Sequence, residues 1–374
     1  MDNHYTEFDP LLEELKMIDN EKIMKQGRNS AFELMRIVAM FMVVLGHCVL
    51  ASAMNNEPYL GTIDNLGWFI AAFTGCAVNM FFLLTGYYSK AVYSKYGKTI
   101  KVWLKTIIYS CIIYIVLSLI KNEFALKDLV GFALPVLTKK YWYMQVYVVL
   151  AFISPYMASL LDDLDKKKHL LLIIVLLSFF SLHESFIKVS MTLDQTQGYG
   201  IAWGTVMFII GSYIRRYGIS IFSRINKWLL LFAYIICSLA IFCSNYLIVK
   251  YNIAGGVVSR GNFYAYNSVS VFSQSLILFL FFVKLSEQNY NNSIINNIGK
   301  NTLAVYLISA HPYLLYPLWT QYFNMERFAD NPILFLIFGA LLSIVTIVVC
   351  IIVDKIIEVI FCKPFRMVEE CLKD

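Results

Sequence analysis

The sequence predicts an all-α polytopic membrane protein with about ten transmembrane helices in one bundle. Three observations predict it. Of the 374 residues, 59% are hydrophobic and 15% charged, whereas a soluble domain carries about 45–50% apolar and roughly 25% charged residues. The mean hydropathy is +0.63, too high for a single buried core inside a wetted surface. The third observation is a series of apolar runs, each near the roughly 20 residues needed to span about 30 Å of hydrocarbon. Disordered, collagen-like and disulfide-scaffold classes are excluded by 28 Phe and 25 Tyr against 18 Gly and 8 Pro.

In chain order the runs are Ala31–Ser52, Trp68–Tyr88, Val102–Ile120, Tyr141–Leu161, Leu170–Phe186, Ile201–Tyr217, Trp228–Val249, Ser268–Val283, Leu303–Tyr322 and Ile333–Ile357. An even number puts both termini on one side. With the N terminus inside, 22 of the 31 Lys and Arg fall on inner tails and loops, including Lys90, Lys95, Lys98, Lys101 and Lys105 and the pair Arg215–Arg216. That satisfies the positive-inside rule, so both termini are expected in the cytosol and the chain in the cell (plasma) membrane. One outward loop, Lys121–Lys140, departs from it: four lysines surround VGFALPVL, the composition of an interfacial or re-entrant segment. The expected organisation is a tail (1–28) without a cleavable leader pattern, a membrane domain (29–360) and a second tail (361–374).

The net charge of +6 reads as topology rather than as a nucleic-acid footprint, because no basic stripe is interleaved with aromatics. The eight cysteines, Cys48, Cys76, Cys111, Cys237, Cys243, Cys350, Cys362 and Cys371, form no CxxC pair, and no metal is expected.

Charge inside a bilayer is costly and marks function or a paired structural group. The first run, RNSAFELMRIVAMFMVVLGHCVL, holds three ionisable groups. Glu33 and Arg36 are three apart and meet on a helix. His47 follows Arg36 by eleven residues, about three turns, hence on the same face and roughly 16 Å further along. One face thus presents a cation toward the cytosol and a potential base deeper in; the alternative is a salt bridge at the membrane edge and a satisfied buried histidine. The second run, GCAVNMFFLLTGYYS, carries Asn79 in apolar company and Gly86, which permits close helix approach. The fourth, YWYMQVYVVLAFISPYM, combines an interfacial aromatic belt, Trp142, Tyr143 and Tyr147, with Gln145 and a helix-disturbing Pro155. His183, Glu184 and His311 sit near the expected outer ends of the fifth and ninth runs.

These residues resemble the integral membrane acyltransferases of family 3. Glu33, Arg36 and His47 match that family's acidic residue, Arg, ten residues, His pattern. Gly75, Val78, Phe81, Phe82, Leu84, Thr85, Gly86 and Tyr87 are similar to its second-helix signature, with Thr for the usual Ser. Trp142, Tyr143, Tyr147, Ser154 and Pro155 resemble its W-[FY]…Y…S-P stretch. IGKNTLAVYLISAHP, Ile298 to Pro312, resembles the G-K-x-T-L-x-[IV]-Y-L-I-H stretch, with Ser309 in place of the last His and His311 two residues later. The resemblance implies O-acylation, in the main O-acetylation with acetyl-CoA as donor, of a cell-surface glycan or its lipid-linked precursor. His47 is the expected base, with Glu33, which orients Arg36, and Asn79 as further catalytic candidates. Arg36, Lys98 and Lys101 are the expected acyl-CoA contacts. Trp142, Gln145, Tyr147 and His311 are candidate acceptor or oxyanion contacts. Acyl-CoA, the glycan and membrane lipids are the expected partners, without nucleic acid. A proton-coupled exporter using Glu33, Arg36 and His47 as a relay is the alternative; no inverted repeat or paired broken helices support it.

Overall fold

The computed structural model describes residues 28–54, 60–91, 96–182, 185, 196–218, 224–253, 262–288 and 290–361. Residues 1–27, the segment 362–374, His183, Glu184, Lys95, Cys362 and Cys371 therefore lie outside the described residues. Among the described residues the regular structure is helical throughout.

Helix α1 (Ser30–Ser52) opens where the Asn29 side chain accepts the backbone N–H of Ala31, 3.0 Å away, a capping bond that satisfies one of the open N–H groups of a helix start. The second run is a pair, α2 (Thr62–Thr74) and α3 (Ala77–Tyr87), jointed at Gly75–Cys76. Then follow α4 (Tyr96–Lys121), a short α5 (Leu126–Ala133) and α6 (Trp142–Asp162). Helix α7 (Lys166–Leu177) runs into a π-helical turn, Ser178–Leu182. Beyond it come α8 (Ile201–Tyr217), α9 (Lys227–Lys250), α10 (Val269–Ser286), α11 (Ser293–Gly299), α12 (Thr302–Ser309) and α13 (Pro332–Ile360).

Every predicted run has a helical counterpart, and the chain is an all-α polytopic membrane protein. Seven helical stretches among the described residues are long and apolar enough to cross a membrane, with α2 and α3 forming one of them. Three runs behave differently. The fifth is divided between α7 and its π turn, and the sixth, α8, has 17 residues. The ninth breaks after Ser309: Pro312 has no N–H to continue the ladder, and the His311 carbonyl turns the chain by accepting the N–H groups of Leu314 and Leu315 at 2.8 Å. In the Lys121–Lys140 segment, α5 buries Phe132 and exposes Leu126 and Val130.

Packing places two apolar clusters beside each other. One gathers α3, α6, α8 and α10 around Phe82, Trp203, Phe208 and Phe279; the other gathers α1, α4, α12 and α13 around Val44, Tyr109, Val305 and Phe335. Gly86 on α3 and Gly211 on α8 let these two helices meet backbone to backbone, since a Cβ at Gly86 overlaps the Phe208 carbonyl and one at Gly211 the Leu83 carbonyl. The close approach expected of Gly86 is therefore present, with α8 as its partner.

A charged staple sits inside the second cluster. Asp354 of α13 is fully buried, lies 2.6 Å from Lys105 Nζ and accepts the Tyr109 hydroxyl, both from α4; Lys105 also reaches Glu358 at 3.0 Å. Pairing with hydrogen bonds is what makes a buried carboxylate tolerable in apolar surroundings. Neither Lys105 nor Asp354 touches the cavity described next.

Candidate functional site

A cavity of about 1140 Å³ runs along α1. Arg36, Met40, Val43, Gly46 and His47 line it, the face expected from a 3.6-residue period. The opposite walls come from α3 through Phe81 and Thr85, from α6 through Trp142, Tyr143, Tyr147 and Ala151, and from α12 through Thr302 and Tyr306.

Its two ends differ in chemistry. At the end where α1 begins stand Arg28, Arg36, Lys90, Lys98 and Lys300; no Asp or Glu is among the described lining residues. At the other end the lining is aromatic. Trp142, Tyr199 and Tyr266 form a mutually packed trio, with ring centroids 4.5 Å (Trp142 to Tyr199), 4.8 Å (Tyr199 to Tyr266) and 5.7 Å (Trp142 to Tyr266) apart. Trp68 and Tyr264 stand edge to face at 4.9 Å and line the same end.

Glu33 lies beneath the basic end. Its carboxylate is buried; Oε1 accepts from Arg36 Nη1 at 2.7 Å and lies 3.6 Å from Arg28 Nη1, while Oε2 has no hydrogen-bond partner among the described residues. The predicted pair is thus formed and leaves Arg36 at the cavity wall, its side chain 32% exposed. A guanidinium held by a carboxylate on one edge keeps other N–H donors for an anion.

Of the three described histidines, His47 alone lines the cavity. Its Nδ1 is buried without a hydrogen-bond partner among the described residues, so none of them ties up that nitrogen. His311, by contrast, is fully buried away from the cavity. Its Nδ1 accepts the Tyr313 N–H at 3.1 Å, its Nε2 faces the Ser110 carbonyl at 3.3 Å, and its ring stacks on Phe132 at 4.8 Å. With both nitrogens engaged it braces the break between α12 and the following turn.

Asn79 occupies a similar bracing position. Fully buried and off the cavity lining, it donates from Nδ2 to the Tyr266 carbonyl at 2.8 Å and to Ser275 Oγ at 3.2 Å, and accepts from Trp203 Nε1 at 2.9 Å. It therefore ties the rim that carries Tyr266 to α3, α8 and α10. Asn79→Ala leaves the Trp203 N–H and the Tyr266 carbonyl unpaired, each an unsatisfied buried group costing about 1–3 kcal/mol. A lowered melting temperature of the purified protein is the expected result.

Among the remaining sequence candidates, Trp142, Tyr147 and Lys98 line the cavity, whereas Gln145 and Lys101 do not. Tyr143 and Tyr147 stack at 6.1 Å, and Tyr306 meets Tyr143 at 5.4 Å, which puts phenol side chains between the two ends. Pro155 also has a local explanation. Having no N–H, it leaves the Ala151 carbonyl without its helical donor, and the Ser154 hydroxyl supplies one at 3.0 Å; all three residues line the cavity. Arg28, Lys90 and Lys300 are lining residues absent from the sequence candidates; the Gly299–Lys300 pair within the IGKNTL stretch is the one signal that could have found Lys300. Among the described residues no cluster of three or more His, Cys, Asp or Glu is placed to hold a metal ion.

A multi-helix membrane protein with an internal cavity, basic at one end, aromatic at the other and holding an uncommitted histidine, is built as a membrane-embedded enzyme rather than a simple anchor. Residues 29–355 match the acyltransferase domain of acyltransferase family 3. The chain belongs to that family and is a membrane acyltransferase. No curated protein and no solved structure matches it.

Proposed function

We propose that the protein is an O-acetyltransferase of the plasma membrane, with both termini cytosolic. In this reading the acetyl group comes from acetyl-CoA at the basic end and goes to a hydroxyl of a cell-surface glycan, or of its lipid-linked precursor, at the aromatic end. The observation that carries the reading is that Arg36 and His47 line one cavity whose cations gather at one end, with no carboxylate among its described lining residues.

The diphosphate and ribose phosphate of CoA are polyanionic and suit the basic end, with Arg36 and Lys98 as contacts. Arg36 and His47 are separated by eleven residues of one helix, roughly 16 Å at 1.5 Å per residue. An extended pantetheine arm covers a comparable length, so a thioester anchored at Arg36 reaches the imidazole. His47 accepts the proton of the acceptor hydroxyl as its oxygen bonds to the thioester carbon. The C–S bond then breaks, the CoA sulfur leaves as thiolate, and the imidazolium returns the proton to it. Negative charge gathers on the thioester oxygen during attack, and Tyr147 and Trp142, sequence candidates that line the cavity, are the donors assigned to it in this reading. At the far end the rings of Trp142, Tyr199 and Tyr266 give a surface suited to the apolar C–H face of a sugar ring.

The test compares cell-surface glycan from cells with and without the gene. Ester-linked acetyl groups are expected in the first and absent from the second; equal acetylation in both contradicts the reading.

A further inference from the structure

The joint between α11 and α12 is the sequence Gly299-Lys300-Asn301. Gly299 is buried against α1: a Cβ there would stand 2.5 Å from Glu33 Oε2, 2.8 Å from Glu33 Cβ and 3.0 Å from the Glu33 carbonyl oxygen. No side chain larger than hydrogen fits unless Glu33 or the joint moves. The same helix start grips the rest of α11. Ser30 Oγ donates to Asn296 Oδ1 at 2.8 Å and accepts the Asn292 N–H at 2.7 Å, while the Ser30 N–H donates to the Tyr290 carbonyl at 3.2 Å.

One consequence is positional. The buried carboxylate that pairs with Arg28 and Arg36 is also the surface on which Gly299 rests, so the two arginines and the 300 position share one reference point. Lys300, exposed at the lip of the cavity, has no carboxylate partner among the described residues, and neither has Lys98. Lys300 lines the same cavity as Arg28 and Arg36 and has no ion-pair partner among the described residues, which leaves its ammonium available to an anion that enters the basic end.

We propose that Lys300 is a phosphate ligand of the donor site and that Gly299 is a positioning residue that seats Lys300 there by letting α11 close onto Glu33. The ligand class is a nucleotide with several phosphates, such as CoA, whose diphosphate and ribose phosphate are separate anions that need separate cations. This rests on the reading of the basic end as the donor site.

The test measures binding of CoA, 3′-dephospho-CoA and pantetheine by calorimetry to the full chain in lipid nanodiscs. Wild type is expected to bind CoA more tightly than dephospho-CoA, and both more tightly than pantetheine. Lys300→Gln, at an exposed position, is expected to weaken CoA binding by about tenfold, the scale of one charge-assisted contact, and to leave pantetheine unchanged. Gly299→Ala is expected to produce the same selective loss with every cation still present. If that variant melts lower than wild type, Ser30→Ala, which releases α11 without touching the cavity lining, tests the positioning and is expected to weaken CoA several-fold. CoA binding by Lys300→Gln equal to wild type, with Arg36→Gln still impaired, overturns the role of Lys300 and leaves the donor reading intact. Unchanged CoA binding in a folded Gly299→Ala, or in Ser30→Ala, overturns the positioning. Equal affinity of wild type for CoA and pantetheine overturns the donor reading itself.

Discussion

His47→Gln is expected to reduce acyl transfer by about 10²–10⁴ while leaving expression, melting temperature and acyl-CoA binding near wild type. The separation follows from where the imidazole stands. His47 lines the cavity and its Nδ1 makes no hydrogen bond with a described residue, so its removal breaks no hydrogen bond of that atom among the described residues. A histidine that braces the fold behaves the other way. His311 bonds through both ring nitrogens and stacks on Phe132, so His311→Gln is expected to lower stability first and activity only through it. Transfer rate, melting temperature and CoA binding measured on both variants separate the two roles. Transfer by His47→Gln within a few-fold of wild type places the base elsewhere.

Arg36→Lys is expected to weaken acyl-CoA binding by about 1–3 kcal/mol, because lysine keeps the charge and loses the planar pair of N–H donors. The lower part of that range applies, since the Arg36 side chain is 32% exposed and water screens part of the interaction. Arg36→Ala is expected to cost more than the loss of one ligand. It leaves Glu33 buried with only the longer 3.6 Å contact to Arg28, and an under-compensated buried carboxylate destabilises the end of the cavity itself. Calorimetric titration with CoA, alongside melting temperatures, checks both. An Arg36→Ala variant with unchanged CoA affinity makes the Glu33–Arg36 pair a structural bridge only.

The fold class and one face of the site were legible because both depend on quantities local in sequence. Apolar run length is set by bilayer thickness, and the 3.6-residue period puts Arg36 and His47 on one wall whatever surrounds them. What polar residues do inside apolar runs was less legible. Asn79, Gln145 and His311 stand out by the same criterion, the cost of burying a polar group, yet that cost is offset whenever a partner exists, and the partners are remote in sequence. Trp203 and the Tyr266 carbonyl satisfy Asn79, and the Ser110 carbonyl faces His311. The buried Lys105–Asp354 pair was hidden for a related reason, since each residue alone looks like a charge near the end of its helix. Arg28 was invisible because basic residues at helix ends are ordinary under the positive-inside rule, and Lys300 had only the Gly299–Lys300 pair to set it apart. Only the fold, bringing α11 down onto Glu33, gathers them at one cavity.

The most direct test of the account incubates the purified protein with acetyl-CoA radiolabelled in the acetyl group and with deacetylated cell-surface glycan. Release of CoA thiol and transfer of label into alkali-labile ester on the glycan are expected with wild type, and neither above background with His47→Gln. Wild-type protein that binds acetyl-CoA yet neither releases CoA nor labels the glycan, or His47→Gln that does both at the wild-type rate, would contradict it.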